Sequence, residues 1–302
     1  MSFSSACRAL SFVGLVGALS GGVLAGAGAS ADVAGMKTID LPLLLDLPGD
    51  LAPVRYTPGA LDRSAAVQAR FELLAKEFGK SGFRATAMVV YVLSPEDWKT
   101  AGLATPYGFP HPLALDAVAV PAWAEEKVVA TYRGFLGGEL PLPRGTPILA
   151  TQAEAGALVV VDLLTQLEVS RQLAQRAGLG GDQPWIAPLV WHLVARLAWD
   201  KFEPGKMPEI AAILDRLAAN RPAGPGLPLS AWRQDLPVVD RWWFDARFLR
   251  GADQMALEKS SGSLWRMLSR AIEKKEPLTE ALLVKEFPGL AAWKTASFAA
   301  EE

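Results

Sequence analysis

Phe83-Arg84-Ala85-Thr86-Ala87-Met88-Val89-Val90-Tyr91-Val92-Leu93, followed at once by Ser94-Pro95-Glu96-Asp97, is the stretch that decides the fold. Its β-branched apolar run does not alternate with polar residues, the pattern of a strand covered on both faces. Ser94 then supplies a cap, Pro95 takes the first helical position, and two acids sit near the positive helix end. A buried strand feeding a capped helix belongs to an α/β unit.

Upstream, residues 41–53 read as a Pro-punctuated lead-in, and residues 51–56 as a short strand stopped by Thr57-Pro58-Gly59. Across 61–80 the residues Leu61, Ala65, Val67, Phe71, Leu74, Ala75 and Phe78 recur near helical spacing, and Gly79 closes the segment. Downstream, residues 114–120 read as another strand, ended by Pro121. After about residue 150 the pattern turns helical, over 152–177, 184–200, 207–220, 236–259, 263–274, 278–286 and 290–300, with a Pro- and Gly-rich loop at 221–229. Nothing repeats at a fixed period. The sequence therefore predicts an α+β fold: a small α/β N-terminal half with a short mixed sheet, then a mainly helical C-terminal half. The expected organisation is an α/β subdomain with an edge strand over 32–150 and a helical subdomain over 151–302.

Residues 1–31 read as a signal peptide. A short segment carrying Arg8 precedes an apolar run over 10–27, and Ala29-Ser30-Ala31 supplies small residues for cleavage. The run is also long enough to span a membrane as an uncleaved anchor; its glycines and the small-x-small ending favour cleavage. The expected location is periplasmic or extracellular. The only cysteine, Cys7, lies inside the leader, so the mature chain can form no disulfide and offers no thiol nucleophile. With a net charge of −2 for the whole chain, the surface holds no general attraction for nucleic acid. No later segment has the length of a membrane span, so stable insertion after leader cleavage is not expected.

The order of elements resembles gluzincin-type zinc metallopeptidases, the thermolysin-like peptidase MA group. The residues that carry the likeness are Val54-Arg55-Tyr56 and the helix after it, the strand and Ser-Pro-Glu-Asp-Trp helix quoted above, Tyr107-Gly108-Phe109 leading to strand 114–120, and the closing helices with Phe244-Asp245-Ala246-Arg247-Phe248-Leu249, Leu264-Trp265-Arg266-Met267-Leu268 and residues 280–293. The resemblance spans roughly residues 50–298. It implies a thermolysin-like architecture in which an edge strand pairs with extended substrate and a long helix carries H-E-x-x-H.

Laid on this chain, that motif falls on Leu167-Glu168-Val169-Ser170-Arg171. Zinc binding needs imidazoles at i and i+4, one turn apart on one helix face. Leu167 has no lone pair to give, and the Arg171 guanidinium stays protonated and repels a dication. The third ligand position, in Trp185-Ile186-Ala187-Pro188, holds Pro188. Glu168 matches the family's general base and stands as a relic, and an i, i+3 contact with Arg171 is expected. No metal and no cofactor are implied. The two remaining histidines read as one packed (His192) and one in a Pro-rich loop (His111).

No nucleophile elbow, phosphate loop or dinucleotide fingerprint occurs. The acid pairs Glu125-Glu126 and Asp46/Asp50 read as solvated rather than catalytic. Trp185, Trp191, Trp199, Trp242 and Trp243 offer stacking surface for a ligand, or else pack the helical core. The expectation is an exported, noncatalytic pseudo-peptidase that binds a peptide or protein partner through Val118 on the edge strand and through Trp185, Trp242 and Trp243. Two alternatives stay open: a structural or assembly component of the cell envelope, and a hydrolase with an unrecognised site.

Overall fold

A computed structural model describes residues 41, 43–84, 87–114, 116–141, 151–222 and 226–298. The signal-peptide reading of residues 1–31 lies outside them. Five strands form one mixed sheet: β1 (Leu45–Leu47), β2 (Val54–Tyr56), β3 (Val89–Leu93), β4 (His111–Ala114) and β5 (Ala117–Pro121), in the order β1-β2-β3-β5-β4. The three inner strands run parallel, and β1 and β4 are antiparallel edges. Helix α1 (Leu61–Phe78) makes the crossover from β2 to β3. Helix α2 (Pro95–Thr100) starts where the Ser94 hydroxyl accepts from the Asp97 amide at 3.0 Å.

Alternation along the inner strands explains the unbroken apolar run. Val90, Val92, Val118 and Val120 point into the main core, while Tyr91, Leu93, Ala117 and Ala119 join Trp98 of α2 in a smaller cluster on the opposite face. Both faces of the sheet are covered, so neither can carry polar residues.

The expected strand at 114–120 is corrected to a hairpin. β4 ends at Ala114 and β5 begins at Ala117, with Val118 paired to Val90 on one side and to Pro112 on the other. The edge of the sheet is therefore β4, and His111 sits on a strand rather than in a loop. Helix α3 (Glu126–Phe135) follows β5, with Glu125 at its cap position.

The second half is helical: α4 (Gln152–Arg176), α5 (Ile186–Phe202), α6 (Met207–Ala218), α7 (Val238–Glu258), α8 (Ser261–Lys274), α9 (Glu280–Glu286) and α10 (Gly289–Ser297). Nearly every residue of α5 up to Trp199 is buried, which makes it the central helix, apolar all round. It packs against α1, α4 and α7. One continuous core joins sheet residues such as Val54, Val90 and Val118 to Leu193, Phe248 and Trp293, so the change of character near residue 150 is not a break in packing. Two arginines of α1 reinforce the junction: Arg63 reaches Asp162 of α4 at 2.9 Å, and Arg70 reaches Glu203 beyond α5 at 3.1 Å. No described helix is long and apolar enough to cross a membrane.

Candidate functional site

Helix α4 begins with a capping box: the Thr151 hydroxyl accepts from the Glu154 amide, and the Glu154 carboxylate accepts from the Thr151 amide at 2.6 Å. From this fixed start the helix runs under β5 and places Glu168 and Arg171 on one face, a turn apart. The two side chains form a two-pronged ion pair, with Arg171 Nε donating to Glu168 Oε2 at 2.9 Å and the second prong closing on Oε1. Arg171 also donates to Gln175 at 2.7 Å, and its guanidinium lies 6.0 Å from the Trp191 ring of α5. Burial by itself lowers the Arg171 pKa; the charge and hydrogen bonds of Glu168 outweigh it and hold the guanidinium above its ordinary value. Gln172 donates to Glu168 at 3.1 Å and reaches the Ala117 carbonyl of β5 at 3.4 Å. The Glu168 carboxylate is thus engaged by three donors from two side chains.

Leu167 packs against the main core, as an aliphatic side chain must in this position. Pro188 is buried in the first turn of α5, where its missing N–H costs little. Its carbonyl accepts from His192 Nδ1 at 2.7 Å. Because a carbonyl can only accept, Nδ1 carries the proton. His192 Nε2 lies 3.3 Å from Asp245 Oδ1 of α7, close enough for an ion pair but not aligned for a hydrogen bond. His111 Nδ1 meets the Thr105 hydroxyl at 2.5 Å. Among the described residues no three His, Cys, Asp or Glu side chains converge as a metal site.

Two buried polar atoms beside the Glu168–Arg171 pair lack a hydrogen-bond partner among the described residues: Gln172 Oε1 and Trp191 Nε1. Each orphaned group of this kind costs about 1–3 kcal/mol.

The structure disperses the other expected binding residues. Val118 is fully buried in the sheet interior, and no partner strand can add to it. Trp185 packs its ring 6.2 Å from Trp293, and Trp242 sits 4.9 Å from Phe135 and stacks near Phe109. Both are core residues, a correction that follows from the need of a disulfide-free helical half for aromatic filling. Trp191 and Trp199 are buried as well. Trp243 differs: one part of it joins the core beside Phe244 and Phe298, yet it also lines a surface cavity with Arg221, Arg247 and Arg250. The sequence reading missed these arginines, although Trp243 and Arg247 stand at the i, i+4 spacing of helical neighbours. Asp46 of the proposed acid pairs is exposed and bridges to Arg55 at 3.2 Å.

Comparison with protein families, with curated proteins and with solved structures gave no match to any of the three.

Proposed function

We propose that the chain is an exported, noncatalytic pseudo-peptidase that binds an extended peptide or protein segment along the sheet edge. The observation that carries this reading is the polar knot of Glu168, Arg171, Gln172 and Trp191, with two orphaned buried atoms, at the junction of α4, α5 and β5. It lies where the gluzincin resemblance puts the catalytic zinc and its base. A packed helix pair that did no more than fill a core would carry apolar side chains there. Here the base is tied up by a guanidinium, and two of the three metal-ligand positions hold residues, Leu167 and Pro188, that only pack. The leader-like composition of residues 1–31 supports export in this reading.

The binding element in this reading is β4, the antiparallel strand that ends the sheet and lies one strand from the knot. Strand addition draws affinity from backbone hydrogen bonds along an open edge. Pro112 removes one donor, which limits the register a partner can take and discourages uncontrolled pairing.

The test uses a ten-residue peptide of alternating Val and Ser as probe, with backbone amide exchange measured by NMR on the peptide and chemical shifts on the mature chain. Slowed exchange of the peptide's own backbone amides, with chemical-shift changes centred on residues 111–114 of β4, is the expected result. Binding that leaves the peptide amides unprotected, or that leaves residues 111–114 unperturbed, removes the strand-addition reading. Val118→Pro is no test of it, because it would break the centre of the sheet.

A further inference from the structure

Arg247 lies one turn beyond Trp243 on α7, and its guanidinium stacks on the indole 3.5 Å from the ring centroid. Nε donates to the Ser297 carbonyl and Nη1 to the Trp243 carbonyl, each at 2.9 Å. Both partners are neutral. Two more guanidiniums share the cavity of about 470 Å³ that opens here between α6 and α7. Arg221 lies 5.5 Å from the same indole and is paired with Asp240 at 2.9 Å. Arg250 is paired with Asp215 at 2.7 Å.

Among the described residues three cations meet two carboxylates here, and Arg247 is the one without an ion pair. Five guanidinium N–H groups are available to it and two are engaged by carbonyls, so a fork of donors remains for an acceptor. Burial, then the charge of Arg250, pushes its pKa down to about 10, with Arg221 acting in the same sense and Asp215 against. The fold holds a charged group in place at a cost, with a planar aromatic surface behind it.

We propose that this cavity is a binding site for a small oxyanion, a phosphate or carboxylate group, held bidentately by Arg247 and flanked by Arg221 and Arg250. A planar fork fits such groups better than an ammonium does, and an anion would complete the pairing that Arg247 lacks among the described residues. The site stands apart from β4 and the Glu168–Arg171 pair and does not depend on how they function.

The experiment titrates the purified mature chain with inorganic phosphate and, separately, with acetate, at ionic strength held constant with chloride, following tryptophan fluorescence. A saturable change with phosphate alone assigns the site to phosphate groups, and one with both assigns it to oxyanions in general. A change with acetate alone assigns it to carboxylates. In each case Arg247→Met must weaken binding by about tenfold or more. Arg250→Gln, at an exposed position where folding is not at stake, must weaken it severalfold. No saturable response to either anion, or a response that both variants keep at wild-type strength, overturns the proposal.

Discussion

At position 171 a guanidinium does two things that a histidine would not. It neutralises Glu168 through two hydrogen bonds, and it spreads a flat, weakly hydrated cation toward Trp191. Removing it strands a carboxylate that is largely shielded from water. Arg171→Met should therefore destabilise the chain by about 1–3 kcal/mol, read as a shift in urea midpoint. The double change Glu168→Met, Arg171→Met should cost less than the single one, because no charge is left behind. A single variant as stable as the parent would mean that the pair is solvated and carries no weight. The local part of this was legible in the sequence: residues three apart on a helix meet, and Glu168 and Arg171 do. The orphaned atoms around them were not, since Trp191 arrives from another helix and nothing in residues 167–172 announces it.

At the scale of elements, helix starts were the most readable features. Ser94-Pro95-Glu96-Asp97 caps α2 as its chemistry requires, with the Ser94 amide in turn donating to the Thr57 hydroxyl at 2.8 Å. Ser94→Ala should cost about 1 kcal/mol in thermal or urea unfolding; no loss would show that the cap is redundant. The hairpin at residues 111–121 was not readable, because a run apolar on both faces looks the same wherever the chain reverses within it. Register is fixed by partners elsewhere in the sequence. Helix α7 illustrates a second non-local constraint. A Cβ on Gly251 would come within 2.7 Å of the Trp293 ring and 2.9 Å of Leu189. Gly251→Ala gains about 1 kcal/mol of helix propensity, yet overpacking between three helices costs about 1–3 kcal/mol. Packing wins, and the variant should unfold at a lower temperature. A rise in Tm would show that α7 and α10 can separate freely.

Across the whole molecule, the α+β class and the division into a sheet-bearing half and a helical half were both visible in the sequence, since periodicity and capping are local. That the halves share one core was not, because it depends on α1 and the sheet closing against α4 and α5. This continuity predicts a single cooperative unfolding transition. Far-UV circular dichroism and tryptophan fluorescence should trace the same urea curve, with Trp98 beside the sheet melting together with the indoles of the helical half. Two resolved transitions would contradict a shared core. The aromatic inventory teaches the same lesson: a tryptophan count cannot tell binding surface from filling, and here Trp185 and Trp242 fill.

On the gluzincin resemblance we propose that Leu167, Arg171 and Pro188 occupy the three zinc-ligand positions, and their side chains have no lone pair to offer a dication. The direct measurement is zinc per chain by elemental analysis, after saturation and desalting, for the parent and for the combined variant Leu167→His, Arg171→His, Pro188→Glu. Far less than one equivalent is expected in the parent and close to one in the variant. Stoichiometric zinc in the parent, or none in a folded variant, would contradict the proposal.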